Sequence, residues 1–146
     1  MKSITALIDT NVVLDWILKR RPFHESSTEI IDFCMRKKIH GYLAAHTILN
    51  VFYITRKDFS VAEGRSLSGL LCSRFEIIGI DRRLLIEALD ASDFRDLEDS
   101  LQMECAIEKG LNYIITRDIN DFKNSRIKAM PPEDFLSLWH TDTYET

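Results

Sequence analysis

Two short β-prone runs in this chain each lead into an acidic residue, the first directly and the second after one arginine, and segments of helical length separate them. Ile4-Thr5-Ala6-Leu7-Ile8 runs into Asp9, and Tyr113-Ile114-Ile115-Thr116 runs into Arg117-Asp118. A strand that lacks a regular polar alternation is apolar on both faces, so both faces must be covered. Phe75-Glu76-Ile77-Ile78-Gly79-Ile80 is a third strand candidate, with Tyr42-Leu43-Ala44 and Ile127-Lys128-Ala129-Met130 as weaker ones. Helices are predicted at about residues 11–19, 25–38, 47–57, 61–73, 82–91, 97–109 and 132–139. Strands joined through helices pair in parallel by right-handed crossovers. The expected fold class is therefore α/β, a three-layer sandwich whose central parallel sheet carries helices on both faces.

Local signals set several boundaries. Ser60 with Glu63 forms a capping-box pattern, Gly110 stands where a helix C-terminal glycine belongs, and Pro131-Pro132 suits the start of the last helix. With 146 residues, 45% of them hydrophobic, the chain can bury one sizeable core. One domain is expected over residues 1–140, with a polar tail at 141–146. No run of about 18 uncharged apolar residues exists to span a membrane, and Met1-Lys2-Ser3-Ile4 does not open a signal peptide. A soluble cytoplasmic protein without membrane association is the expectation. Cys34, Cys72 and Cys105 are isolated, which suits neither a disulfide framework nor a zinc site, and all three are expected to pack in the interior or between helices. A net charge of −4 argues against coating nucleic acid by bulk electrostatics, while leaving room for a local basic patch.

Parallel α/β sheets bind ligands beyond the carboxyl ends of their strands. In this chain those positions are acidic: Asp9 after the first strand, then Asp118 and Asp121 after the strand at 113–116. Asp96, Glu98 and Asp99 open the helix that precedes the latter strand. Each acid taken alone has a structural account as a helix cap or turn former. Together they set like charges at one edge of the sheet, a costly arrangement unless a cation compensates. An oxygen-only donor set points to Mg²⁺ or Mn²⁺ rather than zinc.

The strings Leu7-Ile8-Asp9-Thr10-Asn11-Val12, Asp96-Leu97-Glu98-Asp99-Ser100-Leu101-Gln102 and Tyr113-Ile114-Ile115-Thr116-Arg117-Asp118-Ile119-Asn120-Asp121-Phe122, followed by Pro132-Glu133-Asp134-Phe135-Leu136, resemble a PIN-domain protein of the VapC-like ribonuclease type. The similarity runs in order over nearly the whole chain. It implies an acidic pocket in which Asp9, Asp99 and Asp118 hold one or two divalent metals, with Asp96 the next candidate ligand and Asp121 in a nearby supporting role. Asn11 and Thr116 match residues that orient the acids and a water. The implied activity is metal-dependent hydrolysis of RNA to a 5′-phosphate and a 3′-hydroxyl, without a covalent intermediate. The implied setting is a toxin paired with a small antitoxin protein, and commonly a homodimer.

One departure stands out. Where the family usually carries a Glu in the helix after the second strand, this chain has Asn50. Asn50 is either a neutral replacement in the pocket or a buried structural amide. Its presence supports a rival reading, a catalytically weak or inactive PIN-like module that binds RNA or protein. A phosphoacceptor domain is a third reading, disfavoured because Asn11 breaks the D-x-D start and no late lysine follows a strand.

The remaining candidates are weaker. His24, His40, His46 and His140 share no metal-ligand spacing, though His46 stands just before the Asn50 segment. Basic clusters at Lys19-Arg20-Arg21, Arg36-Lys37-Lys38, Arg56-Lys57 and Arg82-Arg83 read as solvated helix ends. Arg117, beside Asp118, is the candidate RNA contact and alternatively the partner of an acid. No serine-nucleophile elbow, dinucleotide fingerprint or P-loop string occurs.

Overall fold

β1 (Thr5–Ile8) stands at the centre of a five-stranded sheet ordered β3-β2-β1-β4-β5, every neighbouring pair parallel. The other strands are β2 (His40–Ala44), β3 (Glu76–Ile78), β4 (Tyr113–Ile115) and β5 (Lys128–Met130). The computed structural model describes residues 3–141. The expected chain start at Met1-Lys2 and the tail residues 142–146 lie outside the described residues, and the last helix takes in Thr141.

The helices are α1 (Thr10–Ile17), α2 (His24–Met35), α3 (Ala45–Asp58), α4 (Val61–Arg74), α5 (Arg82–Asp90), α6 (Leu97–Glu108) and α7 (Pro132–Thr141). Side-chain alternation along β1 assigns them to layers. Ala6 and Ile8 enter one core with Val12 and Val13 of α1, Ile30 and Ile31 of α2, Val51 of α3, Leu71 of α4 and Phe135 of α7. Leu7 enters the opposite core with Leu84 and Ala88 of α5 and Leu101, Cys105 and Ala106 of α6. Complete burial of each such aliphatic side chain stabilises the fold by about 1.5–3 kcal/mol. The two-period alternation thus produces the three layers expected from the sequence.

Capping chemistry sets the ends. Ser60 Oγ accepts the Glu63 N–H at 3.1 Å to start α4. Gly110, at φ +62°, closes α6. There the Leu111 N–H bonds to the Ala106 carbonyl and the Gly110 N–H to the Ile107 carbonyl, the paired bonds of a Schellman motif. The sequence reading differs in detail elsewhere. The expected strand at 75–80 contracts to Glu76–Ile78, because this edge strand has only β2 to pair with. A 3₁₀ turn over Ile119–Phe122 follows β4, a feature the helical period could not show. Cys34 and Cys105 are interior, whereas Cys72 is exposed on α4. Arg82 and Arg83 open α5, and Arg83 is compensated by ion pairs with Glu87 and Glu108.

Gly41 in β2 marks a close approach. A Cβ there would lie 2.7 Å from Cys34 Sγ and 2.8 Å from the Phe75 ring. Gly41→Ala should therefore destabilise the protein by about 1–3 kcal/mol, as overpacking does. Urea unfolding checks this, and an unchanged midpoint would show that α2 yields without cost.

The chain winds outward from β1 through β2 to β3, then returns to the other side of β1 for β4. A crevice opens at the carboxyl ends of β1 and β4, where the winding direction reverses.

Candidate metal centre

Asp9 follows the last residue of β1 and begins α1 at this crevice. Its backbone N–H continues the sheet by bonding to the Ile115 carbonyl at 2.9 Å. Its side chain makes no cap bond to α1. Instead Gln102 Nε2 donates to Oδ1 at 2.7 Å and Thr116 Oγ1 donates to Oδ2 at 2.7 Å. The residue is 5% exposed. Burial is the main reason its carboxyl is pushed up to about 6, with Glu98 and Asp118 adding like-charge repulsion and the Thr116 hydrogen bond opposing.

The other acids face the same place. Asp118 follows β4, its backbone N–H bonded to Thr116 Oγ1 at 3.0 Å, and Asn11 Nδ2 donates to its Oδ2 at 2.7 Å. Asn11 and Thr116 thus each donate a hydrogen bond to a carboxylate of the cleft. Asp99 lies in the first turn of α6, and its carboxyl is pushed up to about 7 by burial and then by the charges of Asp9, Asp96, Asp121 and Glu98. Asp96 caps α6, accepting the Glu98 N–H at 2.7 Å and the Asp99 N–H at 3.4 Å. Asp9, Asp96, Asp99, Asp118 and Asp121 all line one cleft of about 310 Å³, with Glu98, Asn11 and Asn50. A larger hollow of about 560 Å³ lies over α5 and α6, away from the strand ends, and includes Glu104, which is paired with Arg126 at 2.8 Å. The smaller cleft concentrates the acids and is the better candidate.

Asn50 belongs to the cleft rather than to the core. It is half-buried on α3, and its Nδ2 lies 3.3 Å from Glu98 Oε2. The same oxygen is 2.9 Å from His46 Nε2 and 3.5 Å from Thr10 Oγ1, and Thr10 and Thr47 share a buried hydroxyl bond of 2.7 Å. The His46 hydrogen bond is the main reason the Glu98 carboxyl lies below its usual range. The sequence reading placed Glu98 among the acids at the sheet edge without giving it a role, ranked His46 as a weak candidate, and gave Thr10 and Gln102 no part in the site. Gln102 had a readable signal, since three residues after Asp99 it falls on the same helical face.

Arg117 has a partner that the sequence reading did not name. Its Nε donates to Asp15 Oδ2 at 2.7 Å and its Nη2 to Oδ1 at 3.3 Å, while the guanidinium stacks on Phe23 with Cζ 4.3 Å from the ring centroid. Asp15 is fully buried, and Arg20 approaches it at 3.6 Å. Of the Arg117 nitrogens, Nη1 faces Asp118 at 3.8 Å. The candidate RNA contact is thus first an ion-pair partner, and the orientation of its guanidinium is set by Asp15.

The donor set suits a hard divalent cation. Among the described residues, no three His, Cys, Asp or Glu side chains are placed to enclose a bare ion. Mg²⁺ does not need such a cage, since it keeps several waters and takes one or two carboxylates directly. Asn11 Oδ1, a neutral oxygen donor in the cleft wall, is buried without a hydrogen-bond partner.

The raised carboxyls lead to a pH dependence with a defined sign. Folding raises both acids, so the folded state favours their protonated forms. The stability they contribute is fully present below the ordinary value of 3.8 and is lost as pH rises through about 6 for Asp9 and about 7 for Asp99. In chelator, the melting temperature of wild type relative to Asp99→Asn should fall between these limits and then level off. Millimolar Mg²⁺ or Mn²⁺ at the alkaline end should recover it, because a ligand that binds only the folded state stabilises it. A difference that is flat with pH, or indifferent to metal, would contradict the clustering.

Comparisons with known proteins agree with this architecture. A family model described as a PIN domain matches residues 5–120. The chain is 26% identical over 147 residues to Ribonuclease VapC1 of Aquifex aeolicus (strain VF5), covering 97% of this chain and 99% of that protein. Among solved structures, a toxin–antitoxin complex from Klebsiella pneumoniae superposes with a TM-score of 0.67 at 20% identity, covering 87% of this chain and 97% of the other. VapBC2 from Rickettsia felis, bound to a DNA fragment from its promoter, gives 0.66 at 16% identity, covering 88% and 98%. At these identities the structures bear on the fold alone.

Proposed function

The chain belongs to the PIN domain family, and on that footing we propose that it is a Mg²⁺- or Mn²⁺-dependent endoribonuclease, the toxin of a toxin–antitoxin pair. The observation that carries this reading is the facing of Asp9, Asp99 and Asp118 into one cleft at the reversal point of the sheet. The Aquifex relative is a ribonuclease by name, and the Klebsiella neighbour is a toxin–antitoxin complex, which supports the substrate and the partner.

In this reading Asp9, Asp99 and Asp118 hold the cation, with Asp96 and Asp121 at the rim. When bound, the cation supplies an activated water and positive charge for the phosphoryl oxygens. The chain's own contribution is preorganisation. Gln102 and Thr116 fix both oxygens of Asp9, and Asn11 fixes one oxygen of Asp118, so these carboxylates do not reorient when charge develops. Arg117 positions the Asp118 loop through Asp15. The products are a 5′-phosphate and a 3′-hydroxyl.

Among the described residues no helix is long and apolar enough to cross a membrane, and a cytoplasmic site of action fits an RNA substrate. Exposed Leu49, Tyr53, Phe59 and Val61 on and between α3 and α4, with Leu85 and Leu89 on α5, are the apolar surfaces that an antitoxin or a second copy would cover. The reading treats residues 1–140 as one PIN-like domain.

Incubation of the purified protein with a structured RNA and Mn²⁺ or Mg²⁺ should yield fragments with 5′-phosphate ends, and chelator should stop the reaction. RNA that is bound but left intact with either metal would favour the second reading, a non-cleaving binding module, for which Asn50 is the supporting observation.

A further inference from the structure

Resting on the metal-dependent reading above, we propose that Glu98 supplies from α6 the carboxylate that the α3 wall of the cleft lacks, and that Asn50 is its positioning residue.

The argument begins with the turn that presents Glu98. Asp96 Oδ1 accepts both the Glu98 and the Asp99 N–H, so two neighbouring acids leave one capped turn. They diverge from there. Asp99 meets the charges of Asp9, Asp96 and Asp121. Glu98 reaches across the cleft to α3 and α1, where His46, Asn50 and Thr10 all approach a single oxygen, Oε2, at 2.9, 3.3 and 3.5 Å. The buried Thr10–Thr47 bond ties α1 to α3 beneath this contact. Oε1 has no hydrogen bond to any described residue, which leaves it for the cation or for one of its waters.

The chemistry of position 50 follows from this contact. A side-chain amide can donate to Glu98, whereas a carboxylate would place a like charge against it. Asn at 50 and Glu at 98 are therefore a matched pair, with the negative charge of the α3 wall carried by a residue from the facing helix. On this account Asn50 is not a lost ligand, and adding an acid there overcrowds a place already filled. The pair should be exchangeable, with the acid at 50 and the amide at 98.

The test measures Mn²⁺ binding by calorimetry and metal-free melting temperature for wild type, Asp9→Asn, Glu98→Gln, Asn50→Glu and the double variant Asn50→Glu/Glu98→Gln. Glu98→Gln should weaken Mn²⁺ binding by about 10–100-fold, and should lower the metal-free melting temperature slightly, since the carboxylate that His46 holds is neutralised. Asn50→Glu alone should lower the metal-free melting temperature at pH 8 and should not tighten Mn²⁺. The double variant should recover both properties, with a Kd within about threefold of wild type, the mark of direct coupling. Equal Mn²⁺ affinity in wild type and Glu98→Gln, or a large tightening in Asn50→Glu alone, would overturn the proposal while Asp9→Asn still loses the metal. Wild-type affinity retained in Asp9→Asn would instead overturn the reading of the cleft itself. If the double variant does not fold, the Glu98→Gln arm decides alone.

Discussion

Asp9→Asn should reduce metal-dependent RNA cleavage by at least about 10²–10³-fold, the scale set by removing one preorganised electrostatic group. Asn preserves the volume and can keep both local bonds. Its carbonyl oxygen can accept from Gln102 Nε2, and its amide can donate to Thr116 Oγ1, which now donates to Oδ2. What is lost is the charge. Above about pH 6, where the wild-type carboxyl is ionised while buried, the metal-free variant should melt at the same temperature or higher, since one desolvated and repelled charge has gone. Loss of cleavage with unchanged or improved metal-free stability separates a functional acid from a structural one. Cleavage within about tenfold of wild type, a change of roughly 1.4 kcal/mol in the barrier, would remove Asp9 from the mechanism.

Much of this site was legible because strand ends are legible. A buried parallel strand excludes charge along its length, so an acid at its end marks both the end of the strand and the open rim of the sheet. Asp9 and Asp118 were readable for that reason, and Asp99 because it opens the helix leading into β4. Asn50 was readable as an anomaly but not as half of a pair. Its partner is 48 positions away and meets it only where Glu98, from the start of α6, reaches across the cleft to α3. Gln102 was readable in position, on the helical face of Asp99, but not in role, since a glutamine names no partner until the carboxylate it serves is known. Asp15 carried a signal of its own: an acid set among Val12, Val13, Leu14 and Trp16 is a candidate for burial, and a buried carboxylate that stays charged calls for a partner. What the linear pattern did not show was that this partner is Arg117, 102 positions away.

That pair gives the largest stability effect. Arg117→Ala should destabilise the protein by about 3–5 kcal/mol, because removing one partner of a buried ion pair leaves an uncompensated charge. The lower end applies, since Arg117 is itself 27% exposed and Arg20 remains 3.6 Å from Asp15. Arg117→Lys should recover only part of the loss. An ammonium cannot reproduce the two-nitrogen contact with Asp15 or the flat stacking on Phe23. Asp15→Asn in the Arg117→Ala background should restore stability, because the stranded charge is removed while the volume is kept. Urea unfolding of wild type, Arg117→Ala, Asp15→Asn and the double variant measures the coupling directly. The functional consequence follows from chain connectivity: Arg117 precedes Asp118, so the clamp fixes one wall of the acidic cleft, and its loss should weaken stabilisation by Mn²⁺ along with the fold. If Arg117→Ala kept wild-type stability and metal response and lost only affinity for RNA, Arg117 would be a phosphate contact and the clamp incidental.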